Sequence, residues 1–457
     1  MSLPDLDEFQ RQAVEAVGHA LVIAGPGAGK TRVLLARALK LLEKGLDPER
    51  LFLLTFTVRT ARELRLRLAS RTVVVETFHA LAYRLARENG HQPRLEEEED
   101  YQRLFDLAAG HPLEKEEVHL LVDEFQDLSP ELVAFLRRFE KATFFLVGDP
   151  AQAIYGFRGA RPEVALEFAF SLPGVGLYHL PRSYRVPKKI LEAALPLRDD
   201  FGLQLPSLQA VVPDGEIWGE SYPSPEKEAR GVAKLVAGAL GGLQMETSKR
   251  GLSPGEVVVL ARVRPLLTKV KEALLAEGIP VLDQGEQQKL YLGELETFLA
   301  RACRASSKTD LLAHLPELSP TLREEVAEVL VKARDLEESL AFLHFLKWER
   351  EILVSRTAVN LMTIHQAKGL EFPLVILIGA EEGLLPFTFW PEVDEAEERR
   401  LAYVALTRSA QKFVFTTAKR RFLFGKRYHG KVSPYFSDLP CRESSPPRRV
   451  RRQKSLF

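Results

Sequence analysis

The segment Ala24-Gly25-Pro26-Gly27-Ala28-Gly29-Lys30-Thr31 follows an apolar run and opens a helical pattern. Its residue types suit an anion. Glycines let backbone N–H groups turn inward around phosphates, and a helix N-terminus adds partial positive charge. Gly25, Pro26, Gly27, Ala28 and Gly29 would form the cradle. Lys30 would reach the β- and γ-phosphates of a nucleoside triphosphate, and Thr31 would ligate Mg²⁺. The first position is Ala24, where the strict pattern has Gly. A second segment carries the acids: Leu120-Leu121-Val122 runs into Asp123-Glu124-Phe125-Gln126-Asp127. Carboxylates at the carboxyl end of a parallel strand stand beside a phosphate loop. There Asp123 would hold Mg²⁺, and Glu124 would take the proton from an attacking water.

Both segments need a parallel sheet beneath them, and the chain offers one. Leu21–Ala24, Leu51–Thr57, Thr72–Val75, His119–Val122 and Thr143–Val147 are short apolar runs with turn signals after them, as in buried strands. Amphipathic helices alternate with them, such as Arg32 to Lys44 and the helix opened by Ser129-Pro130-Glu131. The alternation predicts an α/β fold with helices on both faces of a parallel sheet. The pattern recurs in Val257–Ala261, Asn360–Ile364, Leu374–Ile378 and Lys412–Thr417, with helices starting at Ser224-Pro225 and Arg264-Pro265. This predicts a second α/β domain. His79 to Glu117 and Leu290 to Glu351 break the rhythm and read as helical insertions; the acidic run Glu96–Asp100 reads as a solvated face.

Composition excludes several classes. With 457 residues, 46% apolar and 28% charged, the chain is ordinary globular material with enough for more than one core. Lys plus Arg and Asp plus Glu both number 63, so any anionic partner must be bound by local charge. The only cysteines, Cys303 and Cys441, argue against disulfide bridging and a Cys-rich metal site. MSLPDLDEFQ is not a signal peptide, and no run is long enough for a membrane helix, so a cytoplasmic location is expected. The tail from Ser444, rich in Arg and Pro, reads as disordered, with a possible contact to DNA or a protein partner.

The motifs together resemble the UvrD/Rep-type superfamily 1 DNA helicases, in order over most of the chain. Leu6-Asp7-Glu8-Phe9-Gln10 is similar to their Q motif, and the phosphate loop has their Ala-first form. Leu54-Thr55-Phe56-Thr57 and Thr77-Phe78-His79 are similar to motifs Ia and Ib, and the acidic segment to motif II. Val147 to Ala160 (VGDPAQAIYGFRGA) is similar to motif III, and Arg182-Ser183-Tyr184-Arg185 to motif IV. Leu361 to Phe372 (LMTIHQAKGLEF) is similar to motif V, and Glu397 to Arg408 (EERRLAYVALTR) to motif VI. The forms GLEFP and YVALTR also resemble the RecB/AddA branch.

The resemblance implies two RecA-like domains of the P-loop NTPase fold with small helical insertions. Residues 1–185 would form domain 1A, with a 1B insertion at about 80–117. Residues 186–440 would form domain 2A, with a 2B-like insertion at about 290–351, and 441–457 the basic tail. It implies ATP and Mg²⁺ as cofactors and 3′-to-5′ movement on single-stranded DNA or at single/double-strand junctions. Gln10 would contact adenine, Arg32 flank the base, Tyr184 stack on it, and Gly369 and Glu371 meet the nucleotide, Glu371 at the ribose. Arg185 and Arg408, from the face of the second domain, would act as arginine fingers, and Gln152 would sense the γ-phosphate. Thr55, Phe56, Thr57, His79, Tyr155, Phe157, Arg158, Thr363 and His365 would line the DNA path.

The chain departs from the family at Val58 (usually Asn), Phe157 (usually Trp) and Ser183 (usually Asn), and its insertions are much smaller than typical 1B and 2B subdomains. Three readings follow: an autonomous helicase, a single-strand translocase or protein-displacing motor that unwinds poorly without a partner, and a nucleotide-switched DNA-binding or scaffold protein.

Overall fold

The computed structural model describes residues 5–68, 73–95, 98–241, 251–349, 354–389 and 393–443. The chain divides into two compact units. The first comprises Met1–Val186, Arg198–Val212 and Gln284–Leu353; the second comprises Pro187–Leu197, Pro213–Asp283 and Val354–Phe457.

The first unit is built on six strands: β1 Ala20–Ala24, β2 Leu51–Thr55, β3 Val74–Thr77, β4 His119–Val122, β5 Thr143–Gly148 and β6 Gly176–Leu180. They pair in parallel in the order β3-β2-β4-β5-β1-β6. Alternate side chains feed opposite faces, as the two-residue period of a strand requires. Leu21, Ile23, Phe52, Leu54, Leu120 and Val122 pack on one face; Ala20, Val22, Ala24, Leu51, Leu53 and Leu121 pack on the other. Burial on both faces explains the unbroken apolar runs. A short parallel pair, β7 Arg182–Ser183 and β8 Gln209–Ala210, brings residues 198–212 back to this unit after the chain has left it.

The second unit repeats the plan. Its strands are β9 Glu216–Tyr222, β10 Val257–Ala261, β11 Val281–Asp283, β12 Val359–Thr363, β13 Phe372–Ile378 and β14 Ser409–Ala418, then β15 Arg421–Leu423, β16 Lys426–Tyr428 and β17 Cys441–Glu443. Seven form a parallel sheet in the order β11-β12-β10-β13-β14-β9-β17, and β15 and β16 form a hairpin. β9 escaped the sequence reading because Glu216, Glu220 and Ser221 break its apolar pattern. At the head of the expected tail, Cys441–Glu443 pair with Gly219–Ser221, and residues 444–457 lie outside the described residues. Part of the acidic run, Glu96 and Glu97, is also outside them. Beyond the sheet, Arg421 bonds both Glu228 and Glu381 at 2.6 Å, all three buried.

The larger helical insertion departs from its expected domain. Helices Gln284–Ala302, Lys308–Ala313, Pro320–Lys332 and Leu336–Glu349 enter from β11 and return to β12 of the second unit, yet their contacts belong to the first. The reason is the helix Leu336–Glu349, apolar around most of its circumference. Leu343 and Leu346 face the insertion's own core, while Ala341 and Phe345 enter the core of the first unit. Arg87 pairs with Asp335 at 2.8 Å, and Arg62 with Glu328 at 2.8 Å, along the same seam. Phe345 is 2% exposed. Phe345→Ala should therefore destabilise the first unit by about 3–5 kcal/mol. Equilibrium urea unfolding reads this as a lower midpoint, and an unchanged midpoint would show that the helix is not anchored there. Among the described residues no helix is long and apolar enough to cross a membrane.

Candidate nucleotide site and nucleic-acid interface

The phosphate loop joins β1 to the helix Lys30–Glu43 and is braced from outside by residues before and after it in the chain. Ser183 Oγ donates to Pro26 O at 2.7 Å, Tyr184 N to Gly27 O at 3.0 Å, and Gln10 Nε2 to Ala28 O at 2.9 Å. Three successive carbonyls are thus held by flanking elements, so the loop is shaped before any ligand arrives. Gly27, at φ +70°, is required twice over: a Cβ there would lie 2.6 Å from Arg185 Cβ. Ser183, noted in the sequence only as a departure from the family, is therefore a principal brace of the loop. Its Oγ also accepts from Val186 N at 3.1 Å, which shapes the turn carrying Arg185.

This placement changes one expectation. Arg185 belongs to the first unit and not to the face of the second, because Ser183 and Tyr184 tie its turn to the phosphate loop. Gln10 has its amide engaged by the protein: Oε1 accepts from Asp7 N at 3.1 Å while Nε2 holds Ala28 O. It is 2% exposed, and both ends of its amide help hold the loop to the preceding helix. Tyr184 is 40% exposed, its hydroxyl donating to Asp7 Oδ2 at 2.6 Å. Arg32 is exposed and donates to Asp5 O at 3.2 Å.

The acids stand where β4 ends. Lys30 Nζ lies 3.5 Å from Glu124 Oε1. Asp123 is buried, and burial, reinforced by the Glu124 charge and opposed by Lys30, pushes its carboxyl up to about 7. A divalent cation would relieve both causes. Among the described residues no group of three or more His, Cys, Asp or Glu side chains could hold a metal. The residues present, Thr31 and Asp123, instead suit Mg²⁺ shared with phosphate oxygens, which needs only one or two carboxylates. Glu124 has φ +51°, uncommon for a residue with a side chain. Its Oε2 accepts from Gln126 Nε2 at 2.6 Å. Gln126 Oε1 accepts from Asp149 N at 3.0 Å, and Asp149 Oδ2 accepts from Gln152 Nε2 at 2.7 Å. Sequence reasoning assigned Gln126 no role.

In the second unit, Gly369 and Glu371 are exposed on the turn entering β13, Gly369 at φ +82°. Arg408 is 1% exposed at the end of the helix Glu395–Thr407. Its guanidinium donates to Val404 O at 3.1 Å, Leu370 O at 3.2 Å and Thr407 Oγ1 at 3.2 Å, so its orientation is set within its own unit.

The expected DNA residues divide. Tyr155, Phe157 and Arg158 form an open cluster: Phe157 is 66% exposed, and the Arg158 guanidinium lies 5.4 Å from the Tyr155 ring centroid and 5.8 Å from that of Phe157. His79 packs on an aromatic cluster. Its ring sits among Tyr101, Phe105 and Phe345 at 5.2–6.1 Å, and burial pushes its pKa down to about 4. It is half-buried, with its ring edge against this aromatic cluster. Thr55 is buried at 2%, Phe56 packs on Phe78 at 5.1 Å, and Thr57 Oγ1 caps the next helix by accepting from Thr60 N at 3.1 Å. Thr363 is tied to Gln366, and His365 is half-buried. Val58, where the family has Asn, packs against the helical insertion, which explains the exchange of amide for apolar surface. A feature that sequence reasoning missed is the β15–β16 hairpin, whose Phe422 (65%) and Phe424 (45%) are exposed beside Arg420, Lys426 and Arg427. The signal was there, as aromatics interleaved with basic residues.

Comparison with known proteins accords with this geometry. Residues 10–158 match the AAA domain model, and residues 295–420 match the UvrD-like helicase C-terminal domain. DNA helicase II of Escherichia coli is 25% identical over an alignment covering 96% of this chain and 88% of its own length. The chain resembles the UvrD/Rep-type superfamily 1 helicases along nearly its whole length. The ATP-dependent DNA helicase PcrA of Bacillus subtilis is a further relative, 24% identical over 96% of this chain and 86% of its own length. The alignment to DNA helicase II runs over 641 positions against 457 residues here, so this UvrD/Rep-type chain is a compact one.

Proposed function

We propose that this chain is an ATP-dependent DNA helicase or translocase that moves 3′ to 5′ on single-stranded DNA, driven by Mg-ATP hydrolysis. The observation that carries the reading is the sequence of contacts from Lys30 through Glu124, Gln126 and Asp149 to Gln152, three residues before an exposed aromatic and basic turn. In this reading the phosphate loop amides and Lys30 bind the β- and γ-phosphates. Glu124 accepts the proton of the attacking water. Arg185 and Arg408 meet charge that develops on the γ-phosphoryl oxygens. Mg²⁺ at Thr31 and Asp123 would supply charge neutralisation between the β- and γ-phosphates. Tyr184 offers its open ring to adenine, and Glu371 its carboxylate to the ribose.

Single strands are gripped without sequence preference by stacking on open rings. Phe157→Ala should weaken single-strand binding by about 1–3 kcal/mol, read as a higher dissociation constant in fluorescence anisotropy; equal affinity would remove the turn from the DNA path. The compact insertions favour the second reading, a translocase or protein-displacing motor that needs a partner for unwinding. The hairpin carrying Phe422 and Phe424 favours strand separation, since exposed aromatics can wedge between stacked bases. The deciding experiment measures ATP turnover with and without single-stranded DNA, beside unwinding of duplexes tailed at the 3′ or the 5′ end. Stimulated turnover with unwinding only of the 3′-tailed duplex is expected. Stimulation without unwinding selects the translocase, and no turnover leaves a nucleotide-switched binding protein.

A further inference from the structure

We propose that Gln126 is a positioning residue that couples the exposed turn Tyr155–Arg158 to the Glu124 carboxylate, an inference that rests on the motor reading above. Gln126 is fully buried and spans two adjacent strand ends. One end of its amide donates to Glu124 Oε2 at 2.6 Å, and the other accepts from Asp149 N at 3.0 Å. The amide group thus ties the side chain of the general base to the backbone of the neighbouring loop. Gly148 makes room for it: a Cβ there would lie 2.0 Å from Gln126 Oε1 and 2.7 Å from Phe125 Cδ1.

Asp149 carries the connection onward. Its Oδ1 accepts from Ala151 N at 3.1 Å and its Oδ2 from Gln152 Nε2 at 2.7 Å, so one carboxylate anchors the whole turn that follows. Only Ala153 and Ile154, both buried, separate Gln152 from Tyr155. The far end of the turn is clamped to the same acidic loop, because Arg161 N donates to Leu128 O at 3.0 Å. The turn with its exposed Phe157 is therefore bonded to the acidic loop both before and after its aromatic residues. A strand that presses on Tyr155 and Phe157 cannot shift the turn without moving one of these clamps. The first clamp ends on Glu124, which sits at φ +51° and so has a conformation that its surroundings must impose.

The test is Gln126→Met, close in length and shape but without donor or acceptor. In the full chain, turnover in saturating single-stranded DNA should fall by about 10²-fold, the scale of a misplaced catalytic group. The KM for ATP should stay within about twofold, since the residue touches no part of the phosphate loop. The ratio of DNA-stimulated to unstimulated turnover should collapse towards one. A ratio equal to that of the unaltered chain would overturn the coupling. So would a rise in KM that matches the fall in kcat, because that marks general damage to the site. If the Met variant does not fold, Gln126→Asn, polar but too short to span both partners, is judged by the same ratio. An unaltered chain with no stimulation at all defeats the motor reading instead, so the two failures are distinguishable.

Discussion

Arg408→Ala should lower ATP turnover by about 10³–10⁵-fold, the range measured for loss of an arginine finger. The transferred phosphoryl group spreads charge over three oxygens, and a cation placed there acts most strongly in the transition state. Arg408 is already oriented by Val404 O, Leu370 O and Thr407 Oγ1, so little reorganisation would be needed during turnover. The same bonds give a competing explanation, since Arg408 also satisfies carbonyl groups at a helix end. The two are separable. A finger predicts a large loss in kcat with ATP still bound. A purely structural residue predicts a lower melting temperature and a turnover loss below about tenfold after correction for folded protein. The latter result would remove Arg408 from the reaction.

Glu124→Gln comes second, with an expected loss of about 10²–10⁴-fold in kcat, the usual contribution of a general base. The substitution preserves shape but removes the proton acceptor. It also removes the charge beside Asp123, whose carboxyl stands at about 7 through burial first and Glu124 second. Asp123 should then ionise at lower pH and bind a divalent cation at least as well. The variant is thus expected to hold Mg-ATP and release no phosphate, which equilibrium binding and single-turnover assays read separately. Turnover within about tenfold of the unaltered chain would assign the base elsewhere.

Much of the site was legible because its signals are local. A phosphate loop is eight consecutive residues, and a buried parallel strand is four or five apolar ones, so β1, β4 and β10 lie within a residue of their expected positions. Half-exposed strands were less legible: the Glu216 and Glu220 carboxylates hid β9. Short edge strands were hidden too, because all three residues of Cys441–Glu443 are exposed and carry no apolar signal. The β15–β16 hairpin was passed over although its exposed aromatics and basic residues are adjacent in sequence.

The residue order by itself determined the family, the α/β class and the phosphate loop with its paired acids, because each is written in spacing over a few residues. Tertiary structure alone decided the rest. It tied the turn of Arg185 to the phosphate loop, turned Gln10 and Ser183 into braces of that loop, and gave Gln126 two partners on neighbouring strands. It also brought His79 against Phe345, residues more than two hundred and fifty positions apart. An aromatic ring can bury its faces against a base or within a core, and only the fold decides which surface reaches it first.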